Sequence, residues 1–96
     1  MKKFKRFLVA LSILSGFAFS GFVLADSVGG GEWNYGIGWS GNFGFSDYFH
    51  GSNRHSASVK RGDDLQRAVN NPGAWAQAKL FHFPPTRMDF FWNNNV

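Results

Sequence analysis

Large apolar residues alternate with small or polar ones in the segment after residue 32. Every second residue of segment 33–40 is large and apolar: Trp33, Tyr35, Ile37 and Trp39. Such alternation is typical of a strand with one buried face. The turn residues Gly41 and Asn42 follow, and the segment 43–50 then resumes an apolar pattern. The two segments predict a β-hairpin.

Short segments in the second half of the chain predict further strands. Residues 55–60 again alternate between the two faces of a strand. Residues 87–92 form the last predicted strand. The segment 74–83 is rich in alanine, but it lacks helix caps and its neighbours are strands, so a strand is favoured. Residues 65–69 are too few to decide between a short strand and a single helical turn. Five or six strands with turns between them predict an all-β fold, a small antiparallel β-sandwich.

The first 25 residues have the layout of a secretory signal peptide. A basic cluster at residues 2–6 precedes the uncharged run from Phe7 to Ala25. A run of this length is also close to what a membrane anchor needs. Serine and glycine lower its hydrophobicity, which favours cleavage, and we expect the cut between Ala25 and Asp26. The motif Ala18-Phe19-Ser20 offers an alternative cleavage site.

Cleavage after Ala25 divides the chain into three parts. Residues 1–25 form the signal peptide, residues 26–32 a flexible Gly-rich leader, and residues 33–96 the β-sandwich domain. The whole chain has a formal charge of +4, but residues 26–96 contain as many basic as acidic side chains: Arg54, Lys60, Arg61, Arg67, Lys79 and Arg87 against Asp26, Glu32, Asp47, Asp63, Asp64 and Asp89. This balance excludes a basic surface for nucleic acid and disfavours a cationic pore-former.

The composition argues against catalysis and against a metal centre. The chain has no cysteine, and His50, His55 and His82 do not follow a zinc-site spacing. Ser56 and Asp47 lie near these histidines in the sequence, but no nucleophile elbow is present. We therefore predict no enzyme activity, no metal and no cofactor. Aromatic residues are 19% of the chain, and we expect most of them to form the core of this cysteine-free domain.

Five motifs follow one another between residues 29 and 92: 30–36 (GGEWNYG), 46–50 (SDYFH), 55–59 (HSASV), 73–78 (GAWAQA) and 90–92 (FFW). Their order and spacing resemble the lactococcin 972 family of bacteriocins. The most specific part is Ser-x-Tyr-x-His, separated by four residues from His-Ser-x-Ser-Val.

The resemblance implies a secreted, cysteine-free β-sandwich that is exported by the Sec machinery and self-associates as a homodimer. It implies a non-enzymatic antibacterial protein that binds the cell-wall precursor lipid II. Binding would block septum formation in related bacteria without forming pores. The alternative hypothesis is a secreted glycan-binding or surface-adhesion module without toxicity.

Two of the motifs and the turn between them suggest where a ligand binds. We expect the ligand-binding surface to contain five residues, with the Arg54 guanidinium as a phosphate contact: Tyr48, His50, Arg54, His55 and Ser56. Arginine suits this role because its planar group donates two parallel hydrogen bonds to phosphate oxygens.

Overall fold

Two four-stranded antiparallel sheets make up the fold. In the computed structural model of the chain, residues 4–8 are described by their backbone and residues 21–96 in full. The strands are β1 (Phe4–Leu8), β2 (Phe22–Val28), β3 (Gly31–Ile37), β4 (Phe43–Phe49), β5 (His55–Arg61), β6 (Asp64–Asn70), β7 (Trp75–Phe81) and β8 (Asp89–Asn93). The first sheet has the order β1-β8-β5-β6 and the second the order β2-β3-β4-β7. The predicted all-β sandwich is confirmed.

The predicted strands of the second half are all present. The segment 65–69 is a strand rather than a helical turn, since it pairs with β5 along its whole length. The segment 74–83 is a strand as predicted, because β7 pairs with β4. None of the described segments is a helix with the length and apolar character that a bilayer crossing requires.

The predicted strand 33–40 ends early, and this changes the position of Trp39. The strand stops at Ile37 because the chain turns: the Gly41 amide donates to the Gly38 carbonyl and the Gly38 amide donates to the Phe43 carbonyl. Trp39 was expected on the buried face with its neighbours. It lies beyond the strand instead and is 87% exposed.

Strands β1 and β2 occupy part of the predicted signal peptide and leader. Residues 1–3 and 9–20 of that peptide lie outside the described residues. The expected cleavage bond between Ala25 and Asp26 falls inside β2, and cleavage there stays a prediction.

The segment 26–32 was expected to be a flexible leader and is instead part of a hairpin. It forms the end of β2, a tight turn and the start of β3, with Val28 paired to Gly31. Gly29 and Gly30 make the turn with φ angles of 61° and 81°, which glycine adopts without steric cost.

The core places large rings opposite small side chains. Trp33 and Tyr35 of β3 stack with ring centroids 3.9 Å apart, and Tyr35 also meets Phe90 of β8 across the sandwich at 5.6 Å. Strands β5 and β7 contribute alanines to the same core cluster: Ala57, Ala76 and Ala78. Large and small residues that interdigitate fill the space at high density, so this domain is packed without a disulfide.

Ser46 connects the two sheets by hydrogen bonds. It is completely buried in β4, accepts from the Trp33 indole nitrogen at 2.9 Å and donates to the Phe91 carbonyl of β8 at 2.9 Å. Buried polar groups are costly without partners. The Ser46 hydroxyl therefore bonds one polar group in each sheet and fixes the position of one sheet relative to the other.

The Ser46→Ala variant tests this connection. We expect it to lower the free energy of unfolding by about 2 kcal/mol, because two buried hydrogen bonds are lost. Urea denaturation measures the change. The matched control is Ser40→Ala, since the Ser40 hydroxyl is exposed and bonds only the neighbouring Asn42 side chain. Equal stability of the two variants would contradict this role.

Candidate binding site at one end of the sandwich

The turn between β2 and β3 lies against a buried polar cluster. The Gly29 carbonyl accepts from His50 Nε2 at 3.2 Å and from Asn94 Nδ2 at 2.9 Å. The Tyr48 hydroxyl donates to the Val28 carbonyl at 2.9 Å. A side chain at Gly29 would collide with the Trp92 ring and the Tyr48 hydroxyl. This glycine is needed both for its backbone angle and for this close approach.

His50 organises the turn that follows β4. Its Nδ1 atom accepts from the backbone amides of Ser52 at 3.2 Å and Asn53 at 3.0 Å. Because Nδ1 accepts, the ring proton lies on Nε2, which is the atom that faces the Gly29 carbonyl. A single imidazole therefore joins two turns, the one between β2 and β3 and the one at residues 51–54.

His55 secures the same turn from its other end. The side chain is completely buried, with Nδ1 2.7 Å from the Asn53 carbonyl and Nε2 2.7 Å from the Ala74 carbonyl. Carbonyl oxygens only accept, so a ring nitrogen that carries a proton donates to the carbonyl it faces. The two histidine rings lie 6.3 Å apart and hold residues 51–54 between them.

The five predicted site residues lie together, but only one of them reaches the surface. Tyr48, His50, His55 and Ser56 are buried, whereas Arg54 is exposed at the end of the turn. The Arg54 carbonyl accepts from the Val96 amide at 3.0 Å, which ties its backbone to the C-terminal segment. His50 and His55 support the 51–54 turn, and Arg54 is the one member of the five whose side chain solvent can reach. Direct ligand contact by any of the five stays a prediction.

A recess of about 640 Å³ opens on the outer side of this end of the sandwich. Its lining comes from β2, β3, β4 and the two turns: Ser27, Gly30, Gly31, Glu32, Phe49 and Gly51. The volume is in the range of small-molecule sites. Gly51 begins the turn that ends at Arg54, so the recess and the backbone of Arg54 belong to the same end of the sandwich.

The outer face of the second sheet carries a carboxyl group with an altered pKa. Asp47 lies on β4 opposite Gln77 of β7. Burial raises the pKa of Asp47 to about 6, against the opposing effects of Lys79 and of a hydrogen bond with Gln77.

The pKa values of two core tyrosines, Tyr35 and Tyr48, are also raised. Burial raises the pKa of Tyr48 to about 12. The pKa of Tyr35 is raised by burial and by its hydrogen bond to Asp26, with the Tyr35 hydroxyl donating to Asp26 Oδ2 at 3.0 Å. Both hydroxyls stay protonated at neutral pH and act as hydrogen-bond donors.

Comparison with known proteins identifies the family. The family model described as "Bacteriocin (Lactococcin_972)" matches residues 29–91, a segment that includes the 51–54 turn together with Tyr48, His50 and His55. The chain belongs to the lactococcin 972 family of bacteriocins. A solved structure, lactococcin 972, is similar with a TM-score of 0.54 and 26% identity, over 65% of this chain and 94% of that chain. No curated protein matches the chain.

Membership of the lactococcin 972 family makes this chain an antibacterial protein directed at other bacteria, as the sequence motifs predicted. The matched segment begins at Gly29, the residue whose carbonyl joins the two turns. Within residues 4–8 and 21–96, no group of three acidic or histidine side chains is arranged to hold a metal ion.

Three contributors to the site were missed in the sequence: Gly29, Glu32 and Asn94. Gly29 and Glu32 were assigned to a leader, and Asn94 was given no role. The Gly29-Gly30 pair is a turn signal between two extended segments, but the apolar run before it was interpreted as signal peptide alone. Nothing in the sequence indicates that Asn94 reaches back to Gly29.

The His50→Ala variant tests whether this ring organises the turn. We expect faster amide hydrogen exchange at Ser52 and Asn53, because both amides lose their acceptor, and a loss of about 2 kcal/mol in stability. The control is His82→Ala, since His82 contacts the Pro84 carbonyl in a different loop. Unchanged protection of the two amides would show that His50 does not hold the turn.

Asp47 predicts a pH dependence of stability. The pKa of Asp47 in the folded protein, about 6, lies above the ordinary aspartate value of 3.8. The folded state therefore binds the proton more tightly than the unfolded state does. The contribution of this proton to the free energy of unfolding is fully present below about pH 4 and is lost as the pH rises through about 6.

We expect Asp47→Asn to be more stable than the parent protein above pH 6 by about 1 kcal/mol. This is less than the full linkage value because the carboxyl group is partly solvated and screened. Urea unfolding between pH 4 and 8 measures the effect, with the exposed turn variant Asp63→Asn as the control. A constant difference between Asp47→Asn and the parent across this range would contradict the assignment.

Proposed function

We propose that this bacteriocin acts outside the target cell by binding lipid II, and that binding blocks septum formation without opening pores. Family membership supports the antibacterial part of this proposal. The proposal includes export through the Sec machinery, cleavage between Ala25 and Asp26, and self-association as a homodimer.

The observation that carries the proposal is the exposure of Arg54 at the end of a turn whose backbone is bonded by two buried histidines. Two buried histidines bond the backbone of residues 51–54, and the Arg54 side chain is exposed beyond them. A guanidinium on a fixed backbone loses less conformational freedom when it bonds a phosphate than one on a mobile loop, and it donates two hydrogen bonds in one plane. The pyrophosphate of lipid II offers this type of acceptor.

The charge of residues 26–96 supports recognition of one defined anion over lysis. Peptides that disrupt anionic membranes depend on an excess of positive charge, whereas basic and acidic side chains balance in this segment. A single arginine can bond one phosphate group, whereas a protein with no net charge is not drawn to anionic membranes in general.

The experiment compares vesicles with and without lipid II. Protein recovered from the culture medium is used, and its intact mass shows whether the chain begins at Asp26. We expect binding only to lipid II vesicles, and arrested septation with an intact membrane potential in sensitive growing cells. Equal binding to both kinds of vesicle, or rapid depolarisation of the cells, would contradict the proposal.

The Arg54→Ala variant tests the phosphate contact. We expect its affinity for lipid II to fall about tenfold or more, since a charge-assisted pair is worth 1.4 kcal/mol or more, roughly one factor of ten. Arg54→Lys should retain part of the affinity because it keeps the charge and loses the planar fork. The control is Arg67→Ala, an exposed arginine of β6. If Arg54→Ala and Arg67→Ala bind equally well, Arg54 is not the contact.

A further inference from the structure

Four residues form a row across the outer face of the second sheet, beside the recess. Ser27 of β2 pairs with Glu32 of β3, Glu32 pairs with Phe49 of β4, and Phe49 pairs with Trp75 of β7. Paired residues on adjacent strands point to the same side. A hydroxyl, a carboxylate, a phenyl ring and an indole ring therefore follow one another over roughly 14 Å, with adjacent strands about 4.8 Å apart.

The two rings at one end of the row form an aromatic platform whose two ring planes are inclined at 45° to each other. Their centroids lie 5.5 Å apart, Trp75 is 39% exposed, and Phe49 lines the recess. Trp75 is one of several exposed aromatic side chains of the described residues, and it lies next to a ring that lines the recess. Exposed aromatic faces offer apolar contact area to a flat ligand such as a sugar ring.

Polar groups at the other end of the row supply hydrogen-bond acceptors. The Glu32 carboxylate and the Ser27 hydroxyl both line the recess, and both side chains are exposed. A carboxylate accepts strong hydrogen bonds from hydroxyl or amide donors. None of the lining residues is cationic, so the recess itself is suited to a neutral ligand with many hydroxyl groups and not to an anion.

Glycine gives the ligand room to enter. Gly30, Gly31 and Gly51 make up half of the lining, and a β-carbon added at Gly51 would meet no atom within 4 Å. The recess therefore stays open to solvent on the side of the 51–54 turn. Larger residues at Gly51 would extend into this space without colliding with the fold.

We propose that this recess binds a neutral saccharide, with one sugar face on the Phe49 and Trp75 rings and sugar hydroxyl or acetamido groups bonded to Glu32 and Ser27. The inference rests on the proposed function only in naming the saccharide as the N-acetylated disaccharide part of a wall precursor. In this proposal the row binds the sugar part of the ligand, and Arg54 of the proposed function bonds the phosphate part.

The test is a titration of the exported protein with di-N-acetylchitobiose, followed by nuclear magnetic resonance of the Trp75 indole and of the Gly51 and Glu32 amides. We expect these signals to shift together. Trp75→Ala and Gly51→Leu should each weaken binding about tenfold, by loss of the platform and by filling of the recess, since tenfold corresponds to 1.4 kcal/mol. Glu32→Gln should weaken it about threefold, because a neutral amide is the poorer acceptor.

The matched control is Phe81→Ala, an exposed aromatic residue on the same face of β7 at its opposite end. It should bind the disaccharide as well as the parent protein does. The saccharide site would be overturned if no resonance shifts at millimolar disaccharide, or if resonances of Phe81 shift in place of those of Trp75. An unchanged affinity of folded Gly51→Leu would also overturn it. So would protein self-association through this row that the disaccharide does not displace.

The same titration separates this inference from the proposed function. Di-N-acetylchitobiose has neither pyrophosphate nor lipid, so it probes the saccharide site alone. If lipid II binds while the disaccharide does not, the saccharide site is wrong and the proposed function stands. If the disaccharide binds while lipid II vesicles do not retain the protein, the proposed function is wrong and the saccharide site stands.

Discussion

The close approach of two sheets without a covalent link is the constraint on which the rest of this structure depends. The chain has no cysteine, so its stability comes from burial of rings such as Trp33 and Phe90 against alanine and glycine. At Gly44 a β-carbon would lie 2.8 Å from the Met88 sulfur, which shows how little space separates the layers. Close packing of this kind leaves polar atoms of the core away from water, and Ser46 provides partners for two of them.

The same constraint produces the site at one end of the sandwich. There the polar atoms belong to turns, and Tyr48, His50 and His55 satisfy the carbonyl and amide groups of those turns. Because these side chains are fixed by the core, the loop that ends in Arg54 is fixed as well. A rigid scaffold that holds a binding loop lowers the entropy lost when a ligand binds.

The sequence predicted most of the fold because its strands alternate apolar and polar residues. The hairpin formed by β3 and β4, and strand β5 of the other sheet, needed only this pattern and the turn residues. Trp39 was misplaced because a period of two does not show where a strand ends, which here depends on backbone bonds at Gly38. Strand β2 was missed because the same apolar residues also suit a signal peptide.

The candidate site was predicted only in part. The motif around Tyr48 and His50 predicted residues that the fold brings together at one end of the molecule, but a motif does not reveal whether a side chain faces the core or the solvent. The row from Ser27 to Trp75 joins three consecutive strands with β7, which is distant from them in sequence. Such a row follows from the register of the sheet, and the register becomes known only with the structure.

The most direct test of the central claim is a structure of the exported protein bound to a water-soluble analogue of lipid II. The account predicts that the pyrophosphate bonds the Arg54 guanidinium and that the disaccharide lies in the recess beside Phe49 and Trp75. Contact of the analogue with the opposite end of the sheet, around Phe43 and Phe81, would contradict the account. So would a bound structure in which the 51–54 turn makes no contact with the ligand.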